Sequence, residues 1–213
     1  MQTSRAFVFL SLLAVSAAVA SADSPVCATA GNLIQNCAFN EGLNPAYLPG
    51  ADVPADWTEL GTWDSYDSLT QAESLEPGGY SVKNGDDPPY LTGVGQTVTD
   101  VAGQSYTLSF WLLQDGDNTT GPGQADGAEW DGNIVFAEID QPASTSWTEF
   151  SVTVVGTGSD TVALGGDSYH GYNYLDDVSL TPVPEGGSLA LCLFGLVAIG
   201  LRMGIARRGT GAV

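Results

Sequence analysis

Apolar and polar residues alternate along most of the chain between residues 80 and 180. Such a period of two predicts β-strands with one buried and one solvated face, because successive side chains of a strand point to opposite sides. Clusters of Gly, Pro, Asn and Asp separate the alternating segments, as turns between short strands require. The predicted strands are residues 32–39, 80–83, 95–101, 104–112, 134–139, 148–155, 161–164 and 174–180.

The region from residue 23 to residue 181 shows no helical period of apolar residues. Many short strands punctuated by turn residues are typical of a sandwich of two antiparallel sheets. Its length is ordinary for one domain with a sizeable core. The pattern therefore predicts a single all-β domain, an antiparallel β-sandwich.

Two continuous apolar stretches differ from this pattern, one near each end of the chain. Arg5 precedes the first stretch, which ends in Ala20-Ser21-Ala22. This order predicts a signal peptide over residues 1–22, which directs export by the Sec machinery and is cleaved after Ala22. An uncleaved N-terminal anchor is the alternative, which the short apolar part disfavours. We therefore expect the domain at residues 23–181 to be an ectodomain.

The second stretch, residues 189–206, has the length of a single transmembrane helix. Arginines follow within residues 202–208, and by the positive-inside rule they stay in the cytoplasm. This orientation places everything before residue 182 outside the membrane. Residues 209–213 form a short tail.

Charge limits the partners of the ectodomain. Residues 23–181 contain 24 acidic residues and one basic residue, Lys83, a formal charge of −23. Such a field repels nucleic acid and anionic lipid, so the ectodomain is not expected to bind either. Two interpretations stay open: carboxylates bridged by calcium, and an acidic surface that serves solubility alone.

Cysteine spacing fits an exported protein. Cys27 and Cys37 lie ten residues apart, and in an oxidising compartment we expect them to form a disulfide worth about 2 to 3 kcal/mol. Cys192 lies in the apolar stretch predicted to cross the membrane, apart from the ectodomain, and cannot pair with either. Two free thiols are the alternative. A zinc site is disfavoured because the chain has one histidine.

The sequence does not single out a catalytic group. A nucleophilic triad needs a base, and His170 is the one histidine that could supply it. Two facing carboxylates could hydrolyse a glycoside, and the many acidic residues keep that alternative open. We expect a noncatalytic protein.

Aromatic residues in polar loops are candidates for sugar binding, because sugar rings stack on exposed Trp and Tyr side chains. Trp111 and Trp147 lie in alternating segments and are expected in the core. Packing beneath the loops is the alternative for the others. The candidates are Trp57, Trp63, Tyr66, Trp130, Tyr169 and Tyr172.

A Pro-Val-Pro-Glu-Gly segment at residues 182–186 precedes the apolar stretch and its arginines. This order of motif, apolar helix and basic end resembles the PEP-CTERM sorting signal of Gram-negative and related bacteria. The resemblance covers residues 182–208: a motif at 182–186, the apolar helix and the basic end. It implies an exosortase as partner, cleavage near the motif, and passage from an inner-membrane anchored intermediate to the cell surface or the exopolysaccharide matrix. The alternative is a membrane-tethered domain that is not processed, because Gly186 replaces the second proline of the family motif. The matching residues are Val183, Pro184, Glu185, Gly186, Arg202, Arg207 and Arg208.

Five segments of the ectodomain follow one another in an order typical of a known fold: residues 32–42, 95–98, 103–112, 146–150 and 174–180. Through these segments the ectodomain resembles the galactose-binding-like jelly roll, a fold of many carbohydrate-binding modules. The resemblance implies that the first and last strands pair, and that a structural calcium lies between them.

The positions that match the family's calcium ligands are Glu41, Asp176 and Asp177. The family has glutamate directly after Phe39, whereas this chain has Asn40 between them. The expected function is that of an exported surface or matrix protein with affinity for carbohydrate. A purely structural matrix or adhesion component is the alternative.

Overall fold

The computed structural model describes residues 24–46, 52–61, 63, 67–85, 92–115, 125–139, 142–168 and 171–184. The signal peptide, the apolar stretch and the arginines predicted from the sequence lie outside these residues, as do Glu185 and Gly186. Within the described part, no helix is long and apolar enough to cross a membrane. The described residues form ten strands: β1 Thr58–Leu60, β2 Ser68–Thr70, β3 Ser81–Asn84, β4 Thr92–Val98, β5 Ser105–Gln114, β6 Ala125–Trp130, β7 Asn133–Ile139, β8 Thr148–Val155, β9 Asp160–Asp167 and β10 Asn173–Pro182.

Two five-stranded sheets make up the fold. The first sheet has the order β1-β4-β9-β6-β7, and the second has the order β2-β3-β10-β5-β8. Every pairing between these strands is antiparallel. The all-β antiparallel sandwich predicted from the alternating pattern is confirmed.

The core lies between the inner faces of the two sheets. Val94 and Leu164 from the first sheet, and Leu108 and Phe110 from the second, are at most 1% exposed. Phe110 packs edge-on against Phe136 with ring centroids 5.2 Å apart. Burying each such side chain contributes about 1.5 to 3 kcal/mol relative to leaving it in water.

Three strands have no counterpart in the sequence prediction: β1 and β2 of three residues each, and β6 of six. β1 and β2 are too short to show a period of two. β6 carries Asp126 and Gly127, which are turn residues in most settings. The other seven strands overlap the predicted segments.

The predicted strand at residues 32–39 is wrong. Asn36 and Phe39 have φ angles of 45° and 55°, in the left-handed region that interrupts a strand. The segment still runs beside β10: Leu33 N donates to Leu180 O at 2.9 Å, and Val178 N donates to Cys37 O at 3.0 Å. The expected pairing of first and last strands is thus reduced to separate backbone contacts.

The predicted disulfide is confirmed. Cys27 and Cys37 are bonded, with their Cα atoms 5.5 Å apart. The disulfide closes a loop at the start of the described chain, beside the C-terminal half of β10.

Candidate functional site

Three carboxylates meet where the N-terminal loop (residues 24–37) and the connection from β2 to β3 approach β10. One oxygen each of Glu76, Asp176 and Asp177 lies within 4.8 Å of the other two. We call these three residues the acidic cluster. Asp176 is 0% exposed and Asp177 is 4% exposed.

Neighbouring residues of a strand normally point to opposite faces, and a local irregularity lets both aspartates reach one site. The register of β10 against β5 shifts between Asp176 and Ser179. Asp177 itself has a φ of 48°. This bulge, at the centre of the strand, allows adjacent carboxylates to converge.

Hydrogen bonds hold the aspartates of the cluster. Asp176 Oδ2 accepts from Leu75 N at 3.0 Å, and Asp176 Oδ1 accepts from Asp177 N at 2.8 Å. Asp177 Oδ2 accepts from Ser24 Oγ at 2.5 Å. Two further oxygens, Asp177 Oδ1 and Glu76 Oε2, are buried with no N–H or hydroxyl donor in hydrogen-bond geometry. Buried polar atoms normally have partners, so either a proton shared between the two carboxyls or a bound cation satisfies these oxygens.

The acidic cluster lacks a compensating base, because Lys83 is the one basic residue between residues 23 and 181 and packs elsewhere. Burial raises the pKa of Asp176 to about 8, and the charges of Asp177 and Glu76 add to the rise. Burial, followed by the charge of Asp177, also raises the pKa of Glu76. Carboxylate oxygens are the ligands that calcium prefers, so the donor set fits Ca²⁺.

Glu41, predicted as a calcium ligand, is exposed and lies outside the acidic cluster. The positive φ at Phe39 turns the chain, and Glu41 N donates to Asn36 Oδ1 at 3.0 Å. Glu76, rather than Glu41, lies beside Asp176 and Asp177. The sequence shows Glu76 only as part of a Glu-Pro-Gly-Gly turn, 100 residues before Asp176, so no local pattern marks it.

The outer face of the first sheet carries a groove of about 210 Å³. Its floor is a row of small residues from three neighbouring strands, Ala137 of β7, Gly127 of β6 and Gly165 of β9. Ala137 pairs with Gly127, and Gly127 with Gly165. Gly93 of β4, the partner of Gly165, is buried and does not line the groove, whereas Leu60 of β1 does. The groove therefore crosses the strands.

Apolar side chains border this groove. Ile134 and Ile139 of β7 line it and are 72% and 63% exposed. Glu129 adds a carboxylate to the lining. Aliphatic side chains so exposed beside a smooth floor form a surface suited to the apolar face of a ligand.

Trp63 is one of two predicted sugar-binding aromatics that stay partly exposed among the described residues. Its Nε1 donates to Gly93 O at 2.8 Å, and its backbone N donates to Glu59 Oε1 at 2.6 Å. These bonds fix the ring against β4 at Gly93, which pairs with Gly165 of the groove floor.

Tyr172, the other one, lies with the second sheet. Lys83 Nζ sits 4.2 Å from its ring centroid, and its backbone N donates to Asp115 Oδ1 at 2.6 Å. Asp115 also accepts from Tyr174 OH at 3.3 Å, and burial together with this carboxylate raises the pKa of Tyr174. The structure thus does not bring Tyr172 and Trp63 to one sheet.

The prediction that Trp57 and Trp130 contact sugar is corrected by their burial. Trp57 is 0% exposed and donates from Nε1 to Asn36 O at 3.1 Å. Trp130 is 7% exposed and donates from Nε1 to Val155 O at 3.1 Å. A buried indole satisfies its N–H with a backbone carbonyl, as both do.

The two remaining sugar-binding candidates, Tyr66 and Tyr169, lie outside the described residues, as does His170. Trp111 and Trp147, expected in the core, are half-buried instead. Trp111 pairs with Asp176 across the β5–β10 ladder, on the side of the second sheet that faces away from the core.

Comparisons with known proteins identify the type of fold. No family model and no curated protein matches the chain. A CBM61 module in complex with β-1,4-galactotriose is similar in structure, with a TM-score of 0.50 and 18% identity, over 71% of this chain and 99% of that one. A Stig cyclase from Fischerella sp. TAU, bound to an indole compound, has a TM-score of 0.50 and 16% identity, over 72% and 98%.

The CBM22-1 xylan-binding domain of a Paenibacillus barcinonensis protein is a further match, with a TM-score of 0.47 and 16% identity, over 70% of this chain and 93% of that one. At such low identities the likenesses to the CBM61 module and the Stig cyclase show the fold alone. The protein is a jelly-roll β-sandwich of the kind found in carbohydrate-binding modules.

Proposed function

We propose that this protein is an exported, noncatalytic surface or matrix protein that binds carbohydrate along the groove of the first sheet. The observation that carries the proposal is the row of small residues across three strands, bordered by exposed Ile134 and Ile139. A saccharide chain can lie on such a floor because no side chain rises from the glycines. The fold shared with carbohydrate-binding modules supports this reading.

The lining of the groove limits the ligand. Its walls are aliphatic and Glu129 supplies a negative charge, within an ectodomain of formal charge −23. Hydroxyl groups pressed against aliphatic walls lose their water without gaining a partner, which is unfavourable. An anionic polysaccharide would also be repelled. The proposed ligand is therefore a neutral glycan that presents C–H faces or methyl groups.

A groove-filling variant tests the proposal. Ala137 is exposed in the floor row, so Ala137→Trp places an indole in the groove. Binding to neutral polysaccharides, measured by affinity electrophoresis and calorimetry, is expected to fall at least tenfold. Ser151→Trp, at an exposed position of β8 in the second sheet, is the matched control and should bind as the wild type does.

Two results would contradict the carbohydrate proposal. One is equal loss of binding in Ala137→Trp and Ser151→Trp, which would point to a general effect of added tryptophan. The other is a wild-type protein that binds none of a broad panel of neutral glycans, which favours a purely structural matrix or adhesion component.

We also propose that the acidic cluster of Glu76, Asp176 and Asp177 binds a structural calcium ion. Support comes from the two buried carboxylate oxygens that have no N–H or hydroxyl donor, and from Lys83, the one basic residue of the ectodomain, packing elsewhere. A cation there would neutralise the buried charges and connect β10 to the connection that follows β2. Any ligand that binds only the folded state stabilises that state by mass action.

For localisation, we propose sorting by an exosortase through residues 182–208. The Cys27–Cys37 disulfide supports export to an oxidising compartment. β10 ends at Pro182, and Val183 is still bonded to the domain: its N donates to Ser105 O at 2.8 Å, and its carbonyl accepts from Gln104 Nε2 at 3.0 Å. The proposed motif thus begins where the sandwich ends.

Intact mass and fractionation from the host, with and without the exosortase, test the sorting proposal. A mature species that starts near Asp23, ends near Pro184 and leaves the inner membrane only when the enzyme is present is the expected result. A species that keeps Arg207 and Arg208 in the membrane fraction under both conditions would mean a tethered, unprocessed domain.

A further inference from the structure

The disulfide lies beside the acidic cluster. The sulfur atoms of Cys27 and Cys37 and one carboxylate oxygen of Asp177 all lie within 4.8 Å of one another. Cys37 and Asp177 are each 4% exposed. The disulfide therefore forms part of the wall that encloses this carboxylate.

Hydrogen bonds join the same two features from both ends of the N-terminal loop. On one side, Val178 N, directly after Asp177, donates to Cys37 O at 3.0 Å. On the other side, Ser24 Oγ donates to Asp177 Oδ2 at 2.5 Å. Ser24 lies three residues before Cys27, in a turn closed by Ala28 N donating to Ser24 O at 3.2 Å. The disulfide ties these two points of attachment together.

Asp177 depends on such attachments for its position. Its φ of 48° lies in the left-handed region that residues with a side chain rarely adopt. It also sits within the register shift between Asp176 and Ser179, where the ladder to β5 is interrupted. The contacts from Ser24 and Cys37 compensate for the ladder bonds that this part of β10 lacks.

We propose that the Cys27–Cys37 disulfide and the acidic cluster act as one linked unit, in which the closed disulfide raises the calcium affinity of the cluster and bound calcium makes the disulfide harder to reduce. This inference rests on the calcium site proposed above. The two effects must be equal in size, because coupling between two equilibria is reciprocal. The domain would therefore acquire calcium after oxidation, outside the reducing cytoplasm.

Reduction by dithiothreitol makes the coupling measurable. The added dithiol supplies two electrons and two protons, the sulfur–sulfur bond becomes two thiols, and the reagent closes to its cyclic disulfide. The fraction of reduced protein at fixed reagent composition then reports the stability of the disulfide.

The first measurement is calorimetric titration with calcium of the oxidised wild type and of the Cys27→Ser, Cys37→Ser double variant. We expect the double variant to bind calcium about tenfold or more weakly, within the range typical of coupled sites. The second is the reduction equilibrium of the wild type, which saturating calcium should shift toward the disulfide by the same factor. In Asp177→Asn, calcium should leave that equilibrium unchanged.

Equal calcium affinity in the wild type and the double variant would overturn the inference. If the double variant does not fold, the reduction equilibrium of the wild type decides, and no shift with calcium refutes the coupling. A wild type that binds no calcium removes the calcium site and this inference together. A wild type that binds calcium while its disulfide is indifferent removes the coupling alone, and glycan binding is measured separately from both.

Discussion

Ser24 Oγ donates a hydrogen bond of 2.5 Å to Asp177 Oδ2, joining residues 153 positions apart in the sequence. Both residues are buried, at 1% and 4% exposure. The contact brings the start of the described chain onto its last strand. It also gives Asp177 Oδ2 a hydrogen-bond donor, whereas Asp177 Oδ1, the other oxygen of the same carboxylate, is buried without one.

Calcium is predicted to raise the thermal stability of the wild type, and a chelator to lower it. At a calcium concentration 100 times the dissociation constant, the expected gain is about 2.7 kcal/mol. Asp177→Asn should lose this response, because it removes a charged ligand from the acidic cluster. Glu41→Gln, at an exposed position outside the cluster, should keep it. Melting curves with calcium and with chelator provide the check, and an identical response in Asp177→Asn and the wild type would contradict the assignment.

The free energy of unfolding is predicted to fall as pH rises from about 4 toward 8, because the buried carboxyl of Asp126 must lose its proton. Burial raises the pKa of this carboxyl to about 7, from 3.8 as the ordinary value, although Gln114 Nε2 donates to it. The folded protein therefore holds a proton that the unfolded chain has released. That contribution is complete below the unfolded pKa and is lost as pH rises through the folded pKa, with a slope of at most about 1.4 kcal/mol per pH unit.

Asp126→Asn is the test of this pH dependence. The variant should show a flatter profile of unfolding free energy between pH 4 and 7 in urea denaturation, measured in chelator so that calcium binding does not contribute. Glu41→Gln serves as the control and should retain the wild-type slope. A slope unchanged in Asp126→Asn would assign the effect to other carboxyls.

Trp57→Ala is predicted to destabilise the fold by about 3 to 5 kcal/mol, as large-to-small changes of buried aromatic residues do. Trp57 is 0% exposed and packs on Phe39 with ring centroids 5.3 Å apart. Any folded fraction should bind glycan with wild-type affinity, because the ring does not reach the surface. Urea denaturation and a binding assay at low temperature measure the two effects, and loss of affinity at unchanged stability would restore Trp57 as a ligand-contacting residue.

Gly165→Ala is predicted to be strongly destabilising, by about 1 to 3 kcal/mol, the range for overpacking. A Cβ atom there would collide with the backbone oxygen of Thr92 in the neighbouring strand. Gly127→Ala is the matched control in the same floor row, since its Cβ would meet Phe136 O at 3.4 Å, an ordinary contact. Thermal melting of the two variants checks the difference, and similar melting temperatures would show that β4 and β9 can move apart.

The sequence predicted the fold better than it predicted the site. Strands such as β5 and β8 alternate clearly, because their inner residues face a continuous core. The disulfide was predicted from the close spacing of Cys27 and Cys37 and from the expected export to an oxidising compartment. Trp57 and Trp130 were expected at the surface because their local sequence resembles loops, yet long-range packing buries both.

The acidic cluster shows the same limit. Asp176 and Asp177 were found through resemblance to a family, whereas Glu76 comes to them from a distant turn. The groove is a third case: Gly127 and Gly165 are far apart in sequence and form a floor only through strand register. Contacts that depend on the register between strands cannot be predicted from a local sequence pattern.

The position of β10 has a mechanical consequence. Its last residue, Pro182, is also the first residue of the segment proposed for sorting, and β10 is the middle strand of its sheet, between β3 and β5. Tension on the membrane-anchored form would therefore enter the sandwich at its centre. The ladder to β5 and the contacts to the N-terminal loop would share that load, whereas an edge strand would peel away one bond at a time.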